Sequence, residues 1–216
     1  MALLNPVDRS LVRPVISHGT YRMRKQEVVM KYIATIALML NLGVASVYAQ
    51  HQTVKMAVSG NAGSSSINLL QPNTSTSEDN FAGSGTLGSF TLRDITAITN
   101  NPQPSSTCSG PNKIFFTASV GAGVFRFDDG SLLKVSLTQE TDCIDLAAFQ
   151  AHCVLNFMIT GGTGRFKNAT GLLTLTETVV PVLADAFGNP VFFATTGEIT
   201  GTVSGVAKDG DHDKDW

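Results

Sequence analysis

Histidine, cysteine and basic side chains are scarce in this 216-residue chain, which holds four histidines, three cysteines and 15 lysines and arginines. A Ser-His-Asp hydrolase needs a histidine between a nucleophile and an acid. Here His152 alone is internal to the part of the chain with strand character, and no Gly-x-Ser-x-Gly elbow accompanies it. Hydrolysis by a triad is therefore not expected. No Cys-x-x-Cys pair occurs and His152 is the only histidine near Cys143 and Cys153, so no metal site is expected. The glycine cluster Gly161-Gly162-Thr163-Gly164 lacks the lysine and following hydroxyl of a phosphate loop, and no helical pattern follows it. No cofactor is expected.

The chain also lacks an uninterrupted apolar run of the roughly 20 residues a bilayer requires. Its longest apolar stretch, Tyr32 to Val44 within residues 30–49, is short and broken by Asn41. With Lys31 before it and Val47 and Ala49 after it, that stretch reads as an export signal cleaved before Gln50. Residues 1–29, basic and without apolar periodicity, read as an upstream mis-assigned start or a basic extension. Cleavage would remove six of the 15 basic and two of the 17 acidic residues, leaving a net charge near −6. An acidic chain with scattered lysines and arginines has no footprint for nucleic acid or anionic lipid. The expected location is secreted or periplasmic, with no membrane span left after processing.

What is present is strand punctuation. Short runs of threonine, valine, phenylalanine and isoleucine alternate with glycine- and asparagine-rich turns. A first strand is predicted over 54–58, a polar loop over 59–80, a strand over 86–94 and a second loop over 99–113. Further on, Asp129-Gly130 favours a hairpin. Leu133, Val135 and Leu137 alternate with polar residues, as do Leu155, Phe157 and Ile159, and then Leu173 and Leu175, so each run has one buried face. These eight side chains are the candidates to line a ligand cavity. Only Asp145 to His152 could form a helical turn. The fold class predicted is all-β, a small antiparallel closed barrel of about eight strands over residues 50–208, with a β-sandwich as the alternative. Residues 209–216 form an acidic tail with the composition of a solvated segment.

All three cysteines lie beyond the export segment, in a compartment that permits disulfides. Cys143 and Cys153 bracket one excursion between neighbouring strands, which predicts a bridge between them and leaves Cys108 unpaired. A bridge from Cys108 to either of them is the alternative.

The segment from Ile159 to Gly171 joins two strands through Gly161, Gly162 and Gly164, with Phe166 placed to plug the core, Arg165 at an exposed position and Gly171 releasing the next strand. This run, together with the preceding Phe125-Arg126-Phe127-Asp128-Asp129-Gly130-Ser131 hairpin, resembles the allene oxide cyclase and dirigent superfamily of eight-stranded antiparallel barrels. Its flavour is that of the bacterial secreted relatives of undefined activity. The resemblance implies a barrel that binds an apolar small molecule or serves in assembly, homo-oligomers included. It also implies an alternative, a cofactor-free cyclase or isomerase that steers a reactive apolar substrate. Of the residues here, Glu177 is the candidate for a catalytic carboxylate, because it shares a face with Leu173 and Leu175. A purely structural envelope or matrix protein is the third reading, separable from the others by whether the barrel interior is open or filled.

Overall fold

A computed structural model describes residues 51–65 and 70–207. The predicted export signal at 30–49, the predicted extension at 1–29 and the acidic tail at 209–216 lie outside the described residues. Eight strands follow one another in sequence: β1 (Gln52–Ser65), β2 (Thr74–Gly85), β3 (Gly88–Thr99), β4 (Lys113–Phe127), β5 (Leu132–Asp145), β6 (Gln150–Gly162), β7 (Thr170–Ala184) and β8 (Pro190–Ser204). Each pairs antiparallel with its chain neighbour, and β1 pairs with β8 through partners such as Met56 and Ile199, so the sheet closes into a barrel. Closure leaves no unpaired sheet edge, and alternate residues of each strand point inward.

The predicted loop over 59–80 is largely strand, because β1 runs on to Ser65 and β2 begins at Thr74. Its serines, threonines and asparagines look loop-like in composition, yet the strand pairs Gly60 with Phe81 and Ala62 with Asp79. Asp145 to His152 is not helical. The Asp145 carboxylate accepts the N–H groups of Ala147 and Ala148, Phe149 takes φ 51°, and β6 starts at Gln150. An aspartate closing the backbone in this way makes a turn that competes with a helix.

The barrel has two unlike ends. At one, the β2–β3, β4–β5 and β6–β7 turns converge over a packed apolar core. Phe166, in a single 3-10 turn over Gly164–Phe166, is fully buried, with its ring 4.7 Å from that of Phe127. Arg165 is no exposed bystander. Its guanidinium ion-pairs with Asp129 at 2.9 Å, lies 4.9 and 4.6 Å from the ring centres of Phe127 and Phe166, and donates to the Leu87 carbonyl. Gly164 takes φ +55°, where a Cβ would run into the Ser131 hydroxyl, and Gly171 takes φ +146° against the β8 backbone. At the other end lie the β3–β4, β5–β6 and β7–β8 connections, and here the interior changes from apolar to acidic.

The disulfide joins Cys108 to Cys143, with Cα atoms 5.6 Å apart, and corrects the predicted Cys143–Cys153 bridge. The reason is strand parity. The cross-strand partner of Cys143 is His152, not Cys153, so the two cysteines point to opposite faces of the sheet. Cys153 is buried inside and free, whereas Cys143 faces the outer surface, where the 100–112 connection brings Cys108 against β4.

Candidate functional site

Five carboxyl groups turn into one end of the barrel: Asp79 from β2, Asp94 from β3, Glu140 and Asp142 from β5, and Glu177 from β7. Strand register sets them side by side. Asp79 is the partner of Asp94, and Asp142, Cys153 and Glu177 follow one another across β5, β6 and β7. Opposite Glu177 on β8 stands Gly197, where a Cβ would meet the Glu177 Cβ at 2.9 Å; glycine is what lets β8 pass so close.

β5 changes phase along its length. Leu133, Val135 and Leu137 point inward at odd positions, an irregularity in pairing falls between Leu137 and Gln139, and the inward positions then become Glu140, Asp142 and Ile144. An extra residue in one strand rotates every following side chain to the other face. In this way a strand that begins as apolar core continues as the acidic wall.

Above the acids is a cavity of about 560 Å³. Asp79, Glu140, Asp142 and Glu177 line it, while Ile98, Phe116, Ile144, Val179 and Phe193 supply its apolar surface. Volumes of this order are those of sites that enclose small molecules. The eight predicted lining candidates, Leu133, Val135, Leu137, Leu155, Phe157, Ile159, Leu173 and Leu175, are not on its wall. They are buried in the packed half of the barrel beneath it. The turn residues Gly161, Gly162, Gly164, Phe166 and Gly171 sit in or beside the β6–β7 connection at the far end, remote from the cavity. Glu177 does line it.

Among the described residues no lysine, arginine or histidine lines the cavity. Burial therefore acts on the carboxyls without a compensating charge, and it is the largest cause of their behaviour. Asp79 and Asp142 are each pushed up from 3.8 to about 6. Asp94, Glu140 and Glu177 are raised well above the usual carboxylate range, with repulsion from neighbouring acids adding to burial. Burial, then the charges of Asp142 and Glu177, also push the Cys153 thiol up, so it stays protonated and inert as a nucleophile. As carboxylates, both oxygens of Asp94 and one each of Glu140, Asp142 and Glu177 find no donor, and the hydroxyl of Thr195 is likewise unpaired. A proton retained on Asp94 turns it into a donor to Asp79, which raises the one and lowers the other. Among the described residues no three histidine, cysteine or acidic side chains are grouped so as to hold a metal ion.

No family model matches the sequence, and comparison with characterised proteins finds no match. Among solved structures, a pterocarpan synthase dirigent protein is similar over 70% of this chain and 88% of its own, with 11% sequence identity and a TM-score of 0.33. A likeness at that level transfers no activity and no residue role.

Proposed function

We propose that this protein is an exported binding barrel that takes a small, largely apolar molecule into its acid-lined end. The observation that carries the reading is the cavity of about 560 Å³, apolar on one side and set with unpaired buried carboxyl oxygens on the other. Buried polar groups without partners are costly and are retained where something uses them. An open interior also supports binding over a purely structural envelope role, for which a filled barrel would suffice. The Cys108–Cys143 disulfide fits the oxidising compartment that an export signal implies, and the closed eight-stranded barrel fits the resemblance to the allene oxide cyclase and dirigent superfamily.

A second reading, a cofactor-free cyclase or isomerase, is favoured by one observation: Asp79 and Asp142 sit at about 6, where a carboxyl can both give and take a proton near neutral pH. Burial raises Glu177 well above its usual range as well, which favours the protonated carboxyl as a donor over the general base.

Native mass spectrometry on protein purified from its own host tests the binding reading. A retained small molecule that is lost on unfolding is the expected result. In parallel, an environment-sensitive apolar dye should brighten with the wild-type chain and fail to do so with Ser77→Trp, which blocks the cavity wall. Bare protein in the first experiment, together with equal dye response of both chains in the second, would overturn it.

A further inference from the structure

Resting on the binding reading above, we infer that the ligand is an organic cation, an ammonium group on an apolar body, with its charge set among Asp79, Glu140, Asp142 and Glu177 and its body against Ile98, Phe116 and Phe193.

The charge inventory of the interior points to this. Among the described residues every titratable group facing the cavity is acidic or a thiol: Asp79 from β2, Glu140 and Asp142 from β5, Cys153 from β6 and Glu177 from β7, with Asp94 of β3 paired to Asp79. The inward positions of β1, β4 and β8 at this level, among them Ala62, Phe116, Ala118, Phe193 and Thr195, carry no charge. The basic residues Lys55, Arg93 and Lys113 are on the outside, paired with Glu198, Glu78 and Asp145. The described residues therefore supply no cation to this site.

A neutral ligand cannot answer the whole cluster. It offers one or two hydrogen-bonding atoms, each satisfying one carboxyl, and leaves the other unpaired oxygens as they were. A positive charge acts on all of them at once, because Coulomb attraction in a poorly solvated cavity reaches several ångströms beyond contact. A bare metal ion is the poorer occupant. The acids are not grouped to coordinate one, and a single ion would leave most of the roughly 560 Å³ and its apolar wall unused. An amine with an apolar body uses both halves.

Such binding must expel protons. Burial favours the protonated forms of these acids, Glu140 and Glu177 most of all, and a cation favours their ionised forms, so association releases protons and strengthens as pH rises.

Isothermal titration of the full chain with 2-phenylethylamine and its neutral isostere 2-phenylethanol, in two buffers of different ionisation heat, tests the inference. Expected is an affinity for the amine at least ten-fold above that for the alcohol at pH 7.5, falling at least five-fold at pH 5, with net proton release for the amine alone. Glu177→Gln should weaken amine binding and reduce the protons released, and Asp142→Asn should weaken amine binding; circular dichroism confirms that both variants fold. Alcohol binding as tight as amine binding, without proton release, would overturn the cationic assignment and leave the binding reading standing. Failure of both probes at millimolar concentration, with folded protein, would overturn both.

Discussion

Asp79 and Asp94 are cross-strand partners on β2 and β3, and both turn their carboxyls into the barrel, each only about 4% exposed. Two acids so placed cannot both ionise without strong repulsion, and one keeps its proton. The pair is a built-in conflict with stability, and it gives the protein an unusual dependence on pH.

The barrel should be more stable at pH 4.5 than at pH 7.5. Asp79 and Asp142 stand at about 6 in the fold against 3.8 when exposed, and Asp94, Glu140 and Glu177 are likewise raised well above their usual range by burial. Between those limits the folded state holds more protons than the unfolded chain, so stability falls as pH rises. For a carboxyl near 6 the loss is complete above its folded value and amounts to about 3 kcal/mol. Asp145 and Asp185, held below their usual range by turn hydrogen bonds, act with the opposite sign, but only below about pH 4. Thermal unfolding across pH 4.5 to 7.5 should show the melting temperature falling steadily. A flat or rising profile would refute the buried, unpaired state of these acids.

Replacing Asp94 by Asn should stabilise the barrel at pH 7.5 by about 1 to 4 kcal/mol. The amide keeps a donor to Asp79 and has no proton to lose on unfolding. At pH 4.5, where Asp94 is already neutral, wild type and variant should differ little. Denaturant titrations at the two pH values measure the contrast, and an equal effect at both would assign the gain to packing instead.

How much of this was legible in the sequence depends on where strand parity is interrupted. From Leu173 to Glu177 β7 runs without a break, so alternation places Glu177 inside, and the structure puts it on the cavity wall. In β5 the same logic carried past Leu137 would turn Glu140 and Asp142 outward; the irregularity at Leu137/Gln139 reverses them, and nothing in local composition marks it. Asp79 sits in a serine- and threonine-rich stretch that reads as loop. There the polar side chains face a cavity rather than bulk water, and period-two reading does not distinguish the two. The cysteine pairing failed for the same reason as β5: nearness in sequence says nothing about which face a side chain occupies.

Cleaving the Cys108–Cys143 bridge should cost about 3 to 4 kcal/mol in the chain-entropy model, since it spans 35 residues. Cys108→Ser should therefore lower the unfolding midpoint markedly, and Cys153→Ser should leave the bridge intact. Non-reducing peptide mapping identifies the linkage directly. A Cys153-containing peptide in the oxidised map would contradict the face assignments of β5 and β6.

The closed end of the barrel should prove structural and separable from the cavity. Phe166 is fully buried against Phe127, so Phe166→Ala should cost about 3 to 5 kcal/mol. Arg165→Ala should cost about 1 to 3 kcal/mol, because its guanidinium covers two aromatic rings, pairs with Asp129 and satisfies the Leu87 carbonyl. Gly164→Ala adds a side chain at φ +55° directly against Ser131 and should destabilise by more than about 1 kcal/mol. None of these residues lines the cavity, which opens at the opposite end. Each variant, measured below its melting temperature, should thus bind the apolar dye as wild type does. Loss of dye binding by a fully folded Arg165→Ala protein would show that the two ends are coupled and that the turn belongs to the site.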